Sequence, residues 1–241
     1  MDFTVIKADI SGLPADAIVL PANSELKEGS GASTAIFEAA GRKKLTKACK
    51  KIGHCDVGSA VPTPAFDLDA QYIIHAVVPR WIDGSFGEYD LLCAAYLSAL
   101  NIADVMGCKT IAFPLLASGN NGFDIELALE IALKSFETFD PTNLQKIILV
   151  IYGERIHALM KEKGFNVVEL TGNLQTSALN QEHKEKLKKM KAEAKEVLQK
   201  VLEDQIQKAI DFLKDEKNRE KIRKDGIALV KKVFKIKKVD K

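Results

Sequence analysis

The chain has 241 residues, of which 46% are hydrophobic, and its 35 Lys and Arg side chains nearly balance 33 Asp and Glu side chains. This length fits one or two domains of ordinary globular composition. No apolar run reaches the roughly 18 residues that a membrane-spanning helix requires, so we expect no membrane association and, by default, a cytoplasmic location.

Charge is divided unevenly along the chain. Residues 180–241 contain 20 Lys and Arg against 12 Asp and Glu, a balance of +8, whereas residues 1–179 have a balance of −6. We therefore predict a domain over residues 1–172 and a charged extension over residues 180–238. Apolar residues of the extension recur three and four positions apart between lysines and glutamates, which predicts amphipathic helices.

Short apolar segments alternate with longer amphipathic ones in the first domain. Strands are predicted at residues 3–7, 16–20, 58–63, 71–77, 109–116, 146–152 and 166–170. Helices are predicted at residues 34–51 with a break at Gly41, 89–106, 125–139 and 154–163. This alternation predicts an α/β fold of three layers, α/β/α, with a mixed sheet that is parallel in its middle and has helices on both faces.

A glycine-bearing loop joins the second predicted strand to the first helix. Asn23 lies where the strand ends, and Gly29 and Gly31 flank Ser30 just before the helix starts. Glycines allow a ligand to approach the backbone closely, and a helix N-terminus offers unpaired N–H groups with partial positive charge. The combination predicts a phosphate-binding loop.

A second glycine loop, residues 117–123, directly follows the strand at 109–116, and Asp124 is expected to cap the next helix. Ligands of such sheets bind beyond the carboxyl ends of the strands, so both loops are expected at one edge, with a single anionic ligand between them. Asp9, after the first strand, can accept a hydrogen bond from an adenine amino group, and Asn23 suits ribose hydroxyls. These groups suit an adenine nucleotide extended by a second sugar.

Several motifs, in this order, resemble those of the macro domain family of ADP-ribose-binding modules. They are Ala8-Asp9-Ile10, Pro21-Ala22-Asn23, Gly29-Ser30-Gly31, residues 35–41, Gly58-Ser59-Ala60, residues 72–77 and residues 113–119. The resemblance covers residues 1 to about 170 and implies the macro domain fold.

The resemblance also implies roles for individual residues. Asp9 would bind the adenine amino group, Ile10 would lie against the base, Asn23 would contact the distal ribose, the glycine loops would hold the diphosphate, and Phe123 would lie near the distal ribose. The predicted ligand-binding residues are Asp9, Ile10, Asn23, Gly29, Ser30, Gly31, Ala32, Ser33, Ser118, Gly119, Asn120, Asn121, Gly122 and Phe123. No metal ion and no cofactor are expected.

Two departures from the family pattern bear on function. Hydrolytic macro domains usually carry an Asp two residues after the last loop glycine, in a G-G-V-D-G pattern, where this chain has Ser33. A carboxylate can act as a general base near neutral pH, and a Ser hydroxyl alone cannot. The second loop usually has an aromatic residue between its glycines, where this chain has Asn121.

We therefore expect binding of ADP-ribose or of ADP-ribosylated proteins. The alternative is an ADP-ribosyl hydrolase or O-acetyl-ADP-ribose deacetylase that works by substrate-assisted attack of water, with Asn23 as the catalytic candidate. Whether the chain is an enzyme stays open at this point. The basic extension also leaves contact with nucleic acid open, but its interspersed carboxylates and scarce aromatics favour a solvated helical segment instead.

Overall fold

The computed structural model describes residues 1–170; the predicted boundary at residue 172 and the predicted helical extension at 180–238 lie outside these residues. The strands are β1 Asp2–Lys7, β2 Ala17–Ala22, β3 Ala60–Pro64, β4 Tyr72–Val77, β5 Thr110–Pro114, β6 Lys146–Ile151 and β7 Val167–Glu169. The helices are α1 Ala32–Ala39, α2 Arg42–Ile52, α3 Glu88–Val105, α4 Ile125–Thr138 and α5 Glu154–Glu162, and a 3₁₀ turn, Ile10–Gly12, follows β1. Within residues 1–170, no helix combines the length and apolar character needed to cross a bilayer.

The strands form one sheet in the order β3-β4-β2-β5-β6-β1-β7. The β3–β4 pair is antiparallel and every other pair is parallel, which confirms the predicted mixed sheet with a parallel middle. Because β1, β2, β5 and β6 run in the same direction, the segments that follow them all emerge at one edge of the sheet.

Helices cover both faces of the sheet. On one face, Phe37 of α1 and Leu45 of α2 pack in a core with Ile18 of β2. On the other, Phe113 of β5 lies 5.4 Å from Tyr96 of α3, measured between ring centroids, and the ring of Phe136 of α4 contacts both. The α/β/α layering is therefore confirmed.

The predicted break at Gly41 separates α1 from α2. Gly41 adopts a φ of +87°, in the left-handed region that favours glycine, and a Cβ atom at this position would lie 2.7 Å from Asp67 Oδ2. The left-handed backbone at Gly41 turns the chain between the two segments, so the amphipathic stretch forms two helices, α1 and α2.

Candidate functional site

A cavity of about 770 Å³ opens at the carboxyl edge of the parallel strands. It is lined by residues 21–23, 29–33, 114–115, 117–121, 125 and 150–156. The ends of β2, β5 and β6 thus form its floor, and the segments that follow them form its walls. The structure confirms that both glycine loops lie at the same edge and face the same cavity.

The first glycine loop is held in shape by the first turn of α1. The Gly29 N–H donates to Ser33 Oγ at 3.0 Å, and Thr34 Oγ1 donates to the Gly29 carbonyl at 2.7 Å. Ser33 is only 2% exposed, so its hydroxyl lies beneath the loop. Gly31, with a φ of +61°, is the N-cap of α1, and the first N–H groups of that helix have no partner within the helix. A rigid set of N–H donors therefore faces the cavity.

The second glycine loop closes on itself. The Gly122 N–H donates to the Gly119 carbonyl at 3.0 Å, and the Phe123 N–H donates to the Ala117 carbonyl at 3.3 Å. Ala117 holds a φ of +63°, which is strained for a residue with a side chain. The turn bends the chain sharply between β5 and α4 and directs residues 118–121 toward the first loop.

The two loops touch across the cavity. The Asn120 side-chain amide donates to Ser30 Oγ at 2.7 Å, at the exposed edge of the site. These residues are 90 positions apart in the chain, and both line the cavity. The two loops are far apart in the sequence, and this contact joins them into a single site.

Trp81 supports the second loop from behind. Its backbone N–H donates to the Asn121 carbonyl at 2.8 Å, and its indole lies 5.0 Å from the buried Phe123 ring, centroid to centroid. Phe123 and Gly122 do not line the cavity, so the predicted contact of Phe123 with a ribose stays a prediction.

Asn23 lies at the end of β2, exposed and facing the cavity. Its Oδ1 accepts from the Lys27 N–H at 3.0 Å, and its Nδ2 donates to the Lys27 carbonyl at 2.8 Å. The amide therefore organises the start of the first loop and still has one N–H and one lone pair for a ligand.

Asp9 and Ile10 lie at the same edge without lining the cavity. Asp9 caps the 3₁₀ turn, since its Oδ1 accepts from the Ser11 N–H at 2.9 Å and from Ser11 Oγ at 2.8 Å. The Ile10 side chain is buried in the core on the α1 side of the sheet. Both contacts of Asp9 fall on Oδ1, so Oδ2 stays available to a base; the roles predicted for these two residues stay predictions.

A third wall, absent from the sequence-based prediction, follows β6. Tyr152 is 84% exposed, and Tyr152, Gly153, Glu154 and Arg155 all line the cavity. The signal was present, because residues 146–163 also run from strand to glycine to helix. A single glycine between a strand and a helix is common, however, and it does not mark a site by itself.

Glu154 is the only carboxylate among the described lining residues. Lys7 Nζ donates to Glu154 Oε1 at 2.7 Å, and this hydrogen bond lowers the pKa of Glu154 and raises the pKa of Lys7. Glu154 is thus a weak base held in an ion pair. The rest of the polar lining is neutral apart from Arg155, and it consists of hydroxyls, amides and backbone N–H groups, which suit phosphate oxygens and sugar hydroxyls.

Comparison with known proteins agrees with this geometry. Residues 19–132 match the family model described as Macro domain. The chain is 40% identical over 152 residues to a macro domain-containing protein of Chlorobaculum tepidum, covering 62% of this chain and 88% of that protein. It is 42% identical over 156 residues to the O-acetyl-ADP-ribose deacetylase of Escherichia fergusonii, with the same coverage of 62% and 88%.

The fold also matches solved structures. A macrodomain of Oceanobacillus iheyensis, solved with ADP, superimposes with a TM-score of 0.62 at 30% identity, over 66% of this chain and 88% of that one. Sequence motifs, sheet order, cavity and relatives all agree, and the chain belongs to the macro domain family.

Proposed function

We propose that the cavity binds ADP-ribose, free or attached to proteins. The observation that carries the proposal is the contact of the two glycine loops across one cavity, at Asn120 and Ser30. The volume of about 770 Å³ falls within the range of small-molecule sites. The relative of Escherichia fergusonii is named for a derivative of ADP-ribose, which supports the same ligand class.

The diphosphate would lie between the loops. The unpaired N–H groups at the start of α1 and the partial positive charge of the helix N-terminus favour an anion there. The Gly29 backbone is already held by Ser33 and Thr34, so little conformational entropy would be lost when the loop binds.

The adenine would lie toward Tyr152 and Asp9. In the β1–β6 pairing, Lys7 is opposite Ile151, and the Ala8 N–H donates to the Ile151 carbonyl at 3.3 Å, so the segments that follow both strands are neighbours. The exposed Tyr152 ring offers a stacking surface, and Asp9 Oδ2 offers an acceptor for an amino group. The distal ribose would then reach Asn23, at the other side of the loops.

Hydrolysis is the second candidate, and the identity with a named deacetylase favours it. In that case the ligand diphosphate would hold the attacking water and Asn23 would position the ribose. The buried Ser33 cannot take the part of a carboxylate base, and the ion pair of Glu154 with Lys7 weakens that carboxylate as a base. Binding without efficient turnover is therefore our first choice.

Calorimetric titration with ADP-ribose, ADP and AMP tests the proposal. We expect ADP-ribose to bind more tightly than ADP, because ADP lacks the distal ribose. We expect ADP to bind more tightly than AMP, because AMP also lacks the second phosphate. Trp81 is the only tryptophan of the chain, so its fluorescence gives an independent readout next to the second loop. No heat and no fluorescence change with ADP-ribose, in a folded sample, would refute binding.

Turnover of O-acetyl-ADP-ribose and of a peptide ADP-ribosylated on glutamate separates the two candidates. Release of product by catalytic amounts of protein, abolished in Asn23→Ala, would establish the hydrolase. Stable complexes without release would establish the binding module. The same assay on Ser33→Asp asks whether the missing carboxylate explains a low rate.

We also propose a cytoplasmic site of action. All four cysteines lie in the described residues and are free thiols, which suits a reducing compartment. Fractionation of cells that express the tagged chain tests this.

A further inference from the structure

Two large apolar side chains are exposed beside the site. Ile82 and Phe86 lie in the segment that joins β4 to α3, residues 78–87, and they are 63% and 65% exposed. Neither lines the cavity. We call residues 81–86 the apolar loop.

The apolar loop is held rigidly by one buried carboxylate. Glu88 Oε1 accepts from the N–H groups of Ile82 at 3.1 Å, Asp83 at 3.4 Å and Gly84 at 3.2 Å, and Oε2 accepts from Phe86 at 2.8 Å. Burial opposes ionisation of Glu88, but the backbone N–H groups outweigh it and lower the pKa to about 2. The carboxylate is therefore charged at neutral pH and binds the loop backbone through both oxygens.

The same loop is joined to the second glycine loop through Trp81. The Trp81 backbone N–H donates to the Asn121 carbonyl, and Asn121 lines the cavity. The indole itself lies against Gly84, where a Cβ atom would be 3.0 Å from Trp81 Cη2. The loop therefore folds back on Trp81, and Ile82, the next residue, is positioned by a contact with the wall of the site.

This arrangement holds the side chains of Ile82 and Phe86 in contact with solvent, which is unfavourable for apolar groups. A segment that only connected β4 to α3 could consist of flexible polar residues instead. Exposed apolar groups held in a fixed conformation are typical of surfaces that bind a partner, because the ordering cost is met before binding. We propose that Ile82 and Phe86 contact apolar side chains next to the ADP-ribosylated residue of a target protein, an inference that rests on the proposed function.

The size of the surface decides which partner it fits. Stable protein interfaces bury roughly 800 Å² per partner, far more than two side chains provide. The apolar loop cannot hold an unmodified protein alone. A target anchored by its ADP-ribose in the adjacent cavity is presented at high effective concentration, so even a small apolar contact then adds to affinity and to choice of target.

Two peptides of equal length, each with one ADP-ribose on a central glutamate through a non-hydrolysable linkage, test the proposal. One has leucine and phenylalanine beside the modified residue, and the other has serine at those positions. The variant carries both Ile82→Ser and Phe86→Ser, and Val105→Ser is the matched control, since Val105 is 72% exposed at the far end of α3.

We expect the wild-type protein and Val105→Ser to bind the apolar peptide about tenfold more tightly than the serine peptide, a difference of about 1.4 kcal/mol. The double variant should bind both peptides equally, with unchanged affinity for free ADP-ribose. Equal binding of the two peptides by the wild-type protein would overturn the inference while leaving the proposed function intact. Failure of free ADP-ribose to bind the wild-type protein would refute the proposed function itself.

Crosslinking from position 86 identifies the occupant. With a photoreactive phenylalanine analogue at position 86, we expect crosslinks to the residues beside the modified glutamate of the apolar peptide. Crosslinks that instead join position 86 to residues 171–241 of the same chain, or to a second copy, and that persist in the presence of the peptide would overturn the proposal.

Discussion

The side chains of Asn120 and Ser30 are joined by a hydrogen bond of 2.7 Å that connects the two glycine loops at the exposed edge of the cavity. Ser30 belongs to the loop that precedes α1, and Asn120 belongs to the loop that precedes α4. A ligand whose phosphates lie between these loops must pass this contact or displace it. The hydrogen bond therefore links the stability of the empty site to the rate at which a ligand enters it.

We predict that Asn120→Ala speeds the association of ADP-ribose, because the loops then separate more readily. Ser30→Ala should have the same effect, and the double variant should add nothing further, since each substitution removes the same contact. The coupling energy in a double-mutant cycle on stability should be about 0.5–1 kcal/mol, as is typical of an exposed neutral hydrogen bond. Stopped-flow measurement of Trp81 fluorescence gives the rates, and strictly additive effects of the two substitutions would contradict the prediction.

Ser33, which stands where hydrolytic relatives usually carry an Asp, holds the first glycine loop by accepting from the Gly29 N–H. In Ser33→Ala, the Gly29 N–H loses its acceptor, and we expect the free energy of unfolding to fall by about 1–3 kcal/mol with weaker binding of ADP-ribose. Thr34→Val removes the donor to the Gly29 carbonyl and should act in the same direction. Thr34→Ser retains the hydroxyl and serves as the control. Urea denaturation and calorimetry test this, and a stable Ser33→Ala variant that binds normally would show that the bond has no such role.

How much could be read from the sequence depended on the range of each interaction. The break at Gly41 and the cap at Asp124 follow from local patterns, since caps and breaks depend on a few neighbouring residues. The alternation of strands and helices predicted the parallel middle of the sheet but not the order of its strands. For Ser30 and Asn120, the sequence predicted only that their loops lie at the same edge of the sheet. Their hydrogen bond joins residues 90 positions apart, so it depends on how the whole sheet is assembled.

Two features could not be predicted. Tyr152 and its neighbours follow β6 with a single glycine, which is an ordinary connection. In the sequence, Glu88 resembles any acidic residue in the first turn of a helix, and the favourable interaction with the helix dipole is enough to explain an acidic residue there. In the structure, its carboxylate instead turns back and binds the backbone of residues 82–86. The conformation of this loop cannot be predicted from a local sequence pattern.

Tyr152 tests the proposed direction of the ligand. If its exposed ring stacks on the adenine, Tyr152→Ala should weaken ADP-ribose binding by about 1–3 kcal/mol, the usual contribution of a base stacked on an aromatic ring. Tyr152→Phe keeps the ring and should bind almost as the wild-type protein does. A ligand that lacks the base, ribose 5-phosphate, should not distinguish the three proteins in calorimetry. Equal loss of affinity in Tyr152→Phe and Tyr152→Ala would point to the hydroxyl rather than to stacking.

His75 in β4 gives a pH dependence unrelated to the site. It is fully buried with Nε2 2.9 Å from Thr63 Oγ1, and burial lowers its pKa from 6.5 to about 4. The unfolded chain binds a proton at this residue between these two values while the folded protein does not, so stability falls as pH decreases from 6.5 to about 4 and is unaffected above 6.5. The total loss is about 3 kcal/mol.

The measurement compares unfolding free energies of the wild-type protein and His75→Leu at several pH values. The variant is expected to be less stable at pH 7, because Thr63 loses its partner, but to decline less between pH 6.5 and 4. The prediction concerns the slope of the unfolding free energy against pH and not its absolute value. Parallel curves for the two proteins would show that His75 does not titrate as stated.

Glu88 predicts a loss of stability of the same sign, at lower pH. Its folded-state pKa of about 2 lies below the ordinary value of 4.5, so its stabilising contribution is complete above 4.5 and is lost as pH falls toward 2. Glu88→Gln should therefore be less stable than the wild-type protein at pH 7, and the difference should shrink as pH falls below 4.5. Because the loop carries Trp81, the variant should also show altered Trp81 fluorescence.

Asp104→Asn is the matched control for that variant. Asp104 lies near the other end of α3, about 24 Å along the helix from Glu88, and its carboxylate accepts from the N–H groups of Thr142, Asn143 and Leu144. Burial opposes its ionisation, yet these backbone groups lower its pKa. Asp104→Asn should reduce stability with a similar pH dependence but leave Trp81 fluorescence and ADP-ribose binding unchanged. If both variants altered the fluorescence at neutral pH, the loop signal would reflect general loosening of the fold and not the loss of the Glu88 contacts.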